Sequence, residues 1–320
     1  MGLIEIADFT AQGWKDPAIG AERSRWCCER LEHGDILVLP QFPVISEQDR
    51  GFLTGVRQAG SSLIKNISYE PANGRLRGYA RSATDAPMLE RVLRGYSELT
   101  HALIAQLLSP YAAALQIDFT SFRPLEEQGR PLRGRSRNDL IHVDAFPTRP
   151  ARDRRILRFF TNAHPTKPRV WNTSQTFDDL AASMALDAGL IRYAARASGL
   201  AAGLRAALTA VGRRAGIPIA DRAPYDQFML RFHDYLKLNH DFQRECPKQR
   251  YEFNPGSSWI AFTDMVSHAV QSGQFALEQT FFLPVGSQIA PHKSPLRILE
   301  SLVGSSLTQP WLTGGALRMS

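Results

Sequence analysis

The sequence has few cysteines, and their arrangement excludes several classes of protein. Among its 320 residues are three cysteines, Cys27, Cys28 and Cys246, and none of them stands in a Cys-x-x-Cys motif. An odd number without that spacing argues against a zinc ribbon or a disulfide scaffold and is typical of a reducing compartment. The cysteines therefore favour a cytoplasmic protein.

Long apolar runs are also missing. No stretch approaches the length of apolar sequence that a membrane-spanning helix needs, so the sequence predicts none. Residues 1–8 carry acidic residues early, with no basic region before an apolar core, and we expect no secretory signal. Glycine-rich phosphate loops and Ser/His/Asp motif contexts are absent too, which gives nucleotide binding and acyl transfer little support.

Basic residues are concentrated in one part of the chain. Residues 123–169, here called the basic segment, contain eleven arginines and one lysine against five acidic residues. The segment therefore carries the whole formal excess of +7. Such a field attracts anionic ligands and would also suit a nucleic-acid-binding protein. Few aromatic residues interleave with the arginines, and no zinc-finger, helix-turn-helix or RNP pattern is present. We therefore predict an anionic ligand and no nucleic acid.

Two short strings could together hold a metal ion. The string His142-Val143-Asp144 would place a histidine and an aspartate on one face of an extended strand, since side chains two apart in a strand point the same way. A second strand, ending at His268, could supply a third ligand. Two imidazoles and one carboxylate form the facial triad of non-heme iron oxygenases, which leaves positions open for a co-substrate and O2. The alternative is a chance triplet and a structural histidine.

Periodic patterns of apolar residues predict both helices and strands. Helical spacing is found at about 21–32, from Ser46, at 86–108, and again at 177–195, 197–214 and 225–242. Strand-like runs are found at 34–40, 115–123, 139–146, 155–162, 258–263 and 276–283.

This order of elements predicts an α+β fold with a double-stranded β-helix (jelly-roll) core. Helices would precede the core, and residues 177–242 would form a helical insertion. We predict a single domain over residues 1–283 and a C-terminal tail over 284–320, which is rich in Pro, Gly and Ser. The alternative is an α+β domain with unrelated strands.

Longer blocks of sequence around these residues resemble the Kdo hydroxylase family, a branch of the Fe(II)/2-oxoglutarate-dependent dioxygenases. The blocks lie in order along most of the chain, at 142–150, 155–162, 169–171, 230–237 and 263–280. The resemblance implies hydroxylation of the 3-position of 3-deoxy-D-manno-octulosonic acid (Kdo) in Kdo-lipid A, giving Ko, with Fe(II), 2-oxoglutarate and O2. It also implies a peripheral encounter with that lipid at the cytosolic face of the inner membrane.

The distal carboxylate of 2-oxoglutarate needs a cation, preferably a bidentate arginine. Many such oxygenases place this cation a short way beyond the distal histidine, yet residues 269–283 contain no Arg or Lys. We therefore predict that Arg158, on the strand that follows Asp144, is the anchor, because an arginine among apolar neighbours is costly to bury without an anion. Arg155, on the opposite face, is the alternative, and Arg169 is a weaker one.

Several further polar residues carry open interpretations. Asn162 and Gln279 are predicted to hydrogen-bond the co-substrate, unless they face solvent. Asp264 could orient a ligand imidazole or simply shape a turn. His233 and His240 are predicted to be structural or substrate-facing. For the whole protein, the rival functions are an oxygenase acting on another anionic substrate, a jelly-roll metal enzyme with non-oxidative chemistry, and a basic jelly-roll binding protein.

Overall fold

The computed structural model describes residues 2–6, 20–40, 42–56, 66–80, 83–132, 134–197 and 222–308. The strands of this part are β1 (Leu3–Glu5), β2 (Ile36–Leu39), β3 (Ile67–Glu70), β4 (Arg75–Arg77), β5 (Gln116–Arg123), β6 (Arg154–Asn162), β7 (Arg169–Thr173), β8 (Gln249–Phe253), β9 (Ser258–Phe262), β10 (His268–Ser272) and β11 (Ala276–Pro284). Its α-helices are α1 (Ala21–Glu32), α2 (Glu47–Gly55), α3 (Ala86–Leu107), α4 (Phe177–Met184), α5 (Leu190–Ala197), α6 (Pro224–Leu238), α7 (His240–Glu245) and α8 (Pro295–Val303).

The strands form two sheets that pack against each other. The larger has the order β1-β2-β9-β6-β11-β5-β3-β4 and the smaller β10-β7-β8, and every pair except β1 with β2 is antiparallel. Aromatic rings join the sheets: Trp259 of the larger stacks on Phe253 of the smaller at 3.9 Å, and Phe160 meets the edge of Trp171 at 4.9 Å. This is the double-stranded β-helix that the sequence predicts.

The side chains of strand β6 show how the two faces of the larger sheet differ in composition. Because side chains alternate along a strand, Phe159 and Thr161 point to one face and Arg158 and Phe160 to the other. Helix α3 covers the first face, where the hydroxyls of Tyr96 and Thr161 lie 3.0 Å apart. The smaller sheet covers the second face. None of the described helices combines the length and the apolar character needed to cross a bilayer.

Helices α4 to α7 lie between β7 and β8, where the helical insertion is predicted. Each of the two long helices expected at its ends is divided in two. Gly189, with φ of +95°, separates α4 from α5, and a residue with a side chain would be strained there. Asn239 separates α6 from α7 and caps the latter, its Oδ1 accepting from the backbone N–H of Phe242 at 3.0 Å. The helix predicted at 197–214 lies outside the described residues from 198 onwards.

The first part of the predicted C-terminal tail is packed onto the body of the protein. Residues 284–308 include helix α8, and Leu296, Leu299 and Leu307 are buried in the main core. The buried carboxylate of Glu32 accepts hydrogen bonds from two backbone amides of this segment, at 2.8 and 2.6 Å. The structure therefore contradicts a loose tail beginning at 284, because the apolar residues there have helical spacing and a core to join. The remainder of the predicted tail lies outside the described residues.

Candidate metal centre

The segment that carries His142 and Asp144 lies along the edge of the smaller sheet. His142 forms an isolated antiparallel bridge with His268, its backbone N–H donating to the His268 carbonyl at 3.0 Å and its carbonyl accepting from the His268 N–H at 2.8 Å. The backbone N–H of Asp144 donates to the carbonyl of Thr263 at 2.8 Å. Backbone hydrogen bonds therefore bring the two strings together, although 126 positions separate the two histidines.

Two details of the predicted strands are wrong. Residues 139–146 form no regular strand, because the backbone of Ile141 is bonded on both its N–H and its carbonyl by the side-chain amide of Gln243 instead of by another strand. The second string is also displaced: strand β9 ends at Phe262, a turn follows, and His268 begins β10 instead of ending a strand. Both changes leave the histidine and aspartate side chains directed toward one another.

One ligand atom from each of His142, Asp144 and His268 lies within 4.8 Å of the other two. His142 Nε2 is 3.8 Å from Asp144 Oδ1. The Nδ1 atom of each imidazole is bonded to a backbone carbonyl two residues earlier, at 2.7 Å for His142 and 2.8 Å for His268. A carbonyl only accepts, so Nδ1 carries the proton and Nε2 offers its lone pair to the centre of the group.

Electrostatics keep these three residues in the protonation states that a metal needs. Burial, and after it the charge of Lys237, holds the pKa of His142 well below its ordinary value, and burial also lowers the pKa of His268. Burial acts to raise the pKa of Asp144, but the positive charge of Arg158, with smaller contributions from the two histidines and a hydrogen bond to Thr263, holds that pKa far below the usual range. Neutral imidazoles and an ionised carboxylate are the forms that bind metal ions.

Aromatic rings form the walls beside the two histidines. Trp171 stacks on the His268 ring, with centroids 4.8 Å apart and planes 19° apart. His233, from helix α6 of the insertion, meets the His142 ring edge-on at 5.1 Å. Packing on both sides leaves the imidazoles little freedom to rotate, which suits residues that must present one nitrogen in a fixed direction.

The three candidate ligands border a pocket that is also lined by Arg123, Arg158, Arg169, Trp171 and Glu278. A chain of ion pairs extends from Asp144 into this pocket. Arg158 Nη1 donates to Asp144 Oδ2 at 2.8 Å, and its Nη2 donates to the carboxylate of Glu278. Glu278 is bound on its other side by Arg123, at 3.0 and 3.2 Å. Although burial acts to raise it, the charges of Arg123 and Arg158 hold the pKa of Glu278 below its ordinary value. The carboxylate is therefore ionised and fixes two arginines side by side.

Arg169 also lines this pocket, but its hydrogen-bond partners differ from those of Arg123 and Arg158. It is 2% exposed, its Nη1 donates to the carbonyl of Gly273 at 3.1 Å, and it forms no salt bridge with any carboxylate in the described part of the chain. Burial lowers its pKa to about 10. Its Nε, together with Arg158 Nε and Trp171 Nε1, is buried with no hydrogen-bond partner among the described residues. Buried donors without partners are costly, and these three lie around a pocket that a polar anion could fill.

Comparison with known proteins decides the family. The family model described as 3-deoxy-D-manno-oct-2-ulosonic acid (Kdo) hydroxylase matches residues 14–306. The chain belongs to the Kdo hydroxylase family. The predicted family is confirmed, and so is the predicted class of enzyme, an Fe(II)/2-oxoglutarate-dependent dioxygenase.

Solved structures of one Kdo hydroxylase, KdoO, are similar over almost the whole chain. KdoO is described as a non-heme Fe(II) α-ketoglutarate-dependent dioxygenase, and its complex with α-ketoglutarate and Fe(III) is 34% identical, with a TM-score of 0.80, covering 99% of this chain and 100% of that one. The apo structure of KdoO is 34% identical with a TM-score of 0.81 and the same coverage. Its cobalt(II) complex is 34% identical with a TM-score of 0.80 and covers 99% of each chain. Curated protein sequences give no match to this chain.

In the present chain, Arg155 does not reach the pocket. Its guanidinium forms a bidentate pair with Asp264, at 2.9 and 3.1 Å, and lies over Phe262 on the helix-covered face of the larger sheet. The side chain is fully buried. The structure therefore contradicts Arg155 as a co-substrate contact. It also gives Asp264 a partner other than a ligand imidazole.

Asn162 and Gln279 are likewise occupied by the protein itself. The amide of Asn162 donates to the carbonyls of Lys167 and Phe253, both at 2.9 Å, and its oxygen accepts from the backbone of His164 at 3.0 Å. The amide of Gln279 donates to two backbone carbonyls and its oxygen accepts from Thr120. Neither residue lines the pocket, so the predicted hydrogen bonds to the co-substrate are not supported by their positions.

Six of the pocket residues were not assigned to the site from the sequence, and three of these, Arg123, Glu278 and Trp171, take part in the ion pairs or the ring stacking described above. Glu278 carried a usable signal, because it is the one acid in strand β11, which contains no basic residue. A buried acid there requires a cation from elsewhere in the chain. Arg123 ends the neighbouring strand β5 and is the cation that the sheet places beside it. No comparable signal distinguishes Trp171 from a core tryptophan.

Proposed function

We propose that this protein hydroxylates the 3-position of Kdo in Kdo-lipid A, giving Ko, with iron held by His142, Asp144 and His268. One observation carries the assignment: the three ligand atoms converge within 4.8 Å at a pocket lined by arginines, in a chain of the Kdo hydroxylase family. The residues fit iron because two unprotonated nitrogens and one carboxylate oxygen form the facial set that such oxygenases use. With iron bound, O2 would be the oxidant: one of its oxygen atoms would convert the C–H bond to C–OH, and the other would enter succinate as 2-oxoglutarate loses CO2.

The chain's own residues prepare this site in two ways. Arg158 occupies Asp144 Oδ2, so the aspartate presents a single oxygen, Oδ1, toward the histidine nitrogens. The stacked Trp171 and the buried surroundings keep bulk water away from His268. A fixed set of ligands in a dry pocket directs oxidation to the substrate and limits side reactions.

Arg158 remains the predicted anchor for the distal carboxylate of 2-oxoglutarate, and Arg169, the weaker alternative in the sequence, is the second candidate. Each Nη of Arg158 donates one of its two N–H groups to a carboxylate, and Nε has no partner among the described residues, so Nε and the second N–H of each Nη are left for a ligand. Arg169 has no carboxylate partner among the described residues and borders the same pocket. A dianion entering there would supply the missing partner for a buried guanidinium.

The lipid form of the substrate is the finer part of this proposal. Lipid A carries phosphates and Kdo a carboxylate, so both groups would be attracted by the basic segment. We propose that a cytoplasmic enzyme meets this glycolipid as a peripheral visitor to the cytosolic face of the inner membrane. Nucleic acid is not an expected ligand.

The test is a coupled assay with Fe(II), 2-oxoglutarate, O2 and Kdo-lipid A in detergent micelles. We expect succinate and a product with one added oxygen atom that derives from O2, and neither product without 2-oxoglutarate or under argon. Succinate formation stimulated by other anionic glycolipids but not by Kdo-lipid A would favour the alternative oxygenase. Turnover that needs neither O2 nor 2-oxoglutarate would favour non-oxidative chemistry. Tight binding of the lipid without turnover would favour a binding protein.

A further inference from the structure

The loop that follows Asp144 carries an arginine held against two aromatic rings. The guanidinium carbon of Arg149 lies 4.4 Å from the ring centre of Phe119 and 4.5 Å from that of Phe146. Phe146 is in turn 6.0 Å from the guanidinium of Arg158, the residue that binds Asp144. A continuous series of contacts therefore joins Arg149 to the candidate metal centre.

The guanidinium of Arg149 has N–H groups that donate to no described residue. Its Nη1 donates to the carboxylate of Asp118, and no described residue accepts from its Nε or Nη2. The side chain is 27% exposed, so the guanidinium is only partly buried. The two rings and Asp118 fix the plane of the guanidinium before any ligand arrives. A planar fork with two adjacent free N–H groups matches a carboxylate in geometry and charge.

The charges near Arg149 include its partner carboxylate, Asp118, and a second cation, Arg158. Burial, and after it the neighbouring charge of Arg158, lowers the pKa of Arg149 to about 10. The residue still carries its charge at neutral pH, but it does so beside a second cation. An anion bound at the free edge would reduce this repulsion.

We propose that Arg149 binds the carboxylate of the sugar acid and thereby selects an acidic sugar for hydroxylation. This inference rests on the proposed function. In Kdo, a single carbon separates the carboxylate carbon from the 3-position, so the carboxylate of the reacting sugar must lie close to the metal centre. Arg149 is separated from Arg158, which binds Asp144, by the single ring of Phe146. The phosphates of lipid A are several bonds further away.

The experiment compares Kdo-lipid A with the same lipid in which the Kdo carboxylate is a methyl ester. Wild-type enzyme is expected to prefer the free acid by roughly tenfold or more in kcat/KM, the value of a hydrogen bond between charged groups. Arg149→Gln should lose at least that factor on the acid and discriminate less than about twofold between acid and ester. Arg149→Lys, which keeps the charge without the fork, should fall between them. In all variants, succinate formed without sugar substrate should keep its dependence on 2-oxoglutarate.

Arg23→Gln is the matched control, because Arg23 also lies over an aromatic ring, that of Trp26 at 4.9 Å, but on helix α1 outside the pocket. It should behave as wild type. Arg149→Gln that keeps the full preference for the acid overturns the proposal, and so does a loss that follows removal of the lipid A phosphates instead of the ester. If wild-type enzyme hydroxylates neither lipid, it is the proposed function that fails. Thermal unfolding identifies any variant that does not fold, and Arg149→Lys then decides the question.

Discussion

Strand β6 carries two buried arginines, three positions apart, that lie on opposite faces of the sheet and pair with different carboxylates. Arg155 points to the helix-covered face and is neutralised by Asp264 alone, in a bidentate pair buried on every side. Arg158 points to the other sheet and is shared between Asp144 and Glu278. A cation among apolar neighbours must find an anion, but burial alone does not tell whether that anion belongs to the protein or to a ligand.

The two faces also differ in their balance of charge. The helix-covered face pairs one cation with one anion. The pocket is lined by three arginines, Arg123, Arg158 and Arg169, and by two carboxylates. Buried donors without partners do not separate the two faces, because Arg155 Nη1 is one of them, as are Arg158 Nε and Arg169 Nε. The difference lies in charge: the structural pair is balanced, whereas the pocket has one more cation than it has carboxylates.

The largest expected effect is at the metal centre on the pocket side. His268→Ala should lower succinate formation by more than the roughly 10–100-fold that changes outside the ligand set cost. Binding of Co(II), followed by its absorption spectrum, should be lost while the fold is retained. His233→Ala is the control, because that ring contacts His142 but belongs to no ligand set in the described structure. Unchanged metal binding by His268→Ala would remove His268 from the site.

On the helix-covered face, Arg155→Met should destabilise the fold by about 3–5 kcal/mol, because Asp264 would remain buried without its partner. Adding Asp264→Leu should restore most of that stability. Urea unfolding measures both changes. The 2-oxoglutarate dependence of uncoupled turnover should stay as in wild type. A folded Arg155→Met enzyme that requires much more 2-oxoglutarate would contradict the structural role.

On the pocket side, Arg158→Gln should cost about 2–5 kcal/mol of co-substrate binding, and Arg169→Gln should show this loss instead if Arg169 is the anchor. That range raises the 2-oxoglutarate concentration needed for half-maximal succinate release by about 30-fold or more. Only Arg158→Gln should also weaken Co(II) binding, because it alone removes a partner of Asp144. Arg155→Met serves as the comparison. If neither curve moves, the anchor lies elsewhere.

The smallest effects are expected at the two amides. Asn162→Ala and Gln279→Ala each remove hydrogen bonds to buried backbone carbonyls, and about 1–3 kcal/mol of stability should be lost in each case. Denaturant unfolding provides the measurement. Neither substitution should change the 2-oxoglutarate dependence, since both side chains are satisfied by the protein. A variant with normal stability but a changed 2-oxoglutarate dependence would show that the residue does contact the co-substrate.

Much of the architecture could be predicted from local patterns. Apolar spacing located helix α3 and strands β5, β6 and β11 to within a residue or two of their observed ends. It could not show that the helices at 177–195 and 225–242 are each interrupted, since a break at Gly189 or Asn239 depends on how the insertion folds back. Nor could it show that residues 284–308 join the core, because a segment rich in Pro, Gly and Ser reads locally as a loop.

The sequence by itself determined that Arg155 and Arg158 occupy opposite faces, because side chains alternate along any strand. It also placed His142 and Asp144 two apart, and the longer blocks around them indicated the family. Only the tertiary structure decided which arginine faces the pocket. The deciding anions, Asp264 and Glu278, are 109 and 120 positions away in the chain. Charges interact through space, so the choice of partner belongs to the folded sheet and not to the strand that carries the arginines.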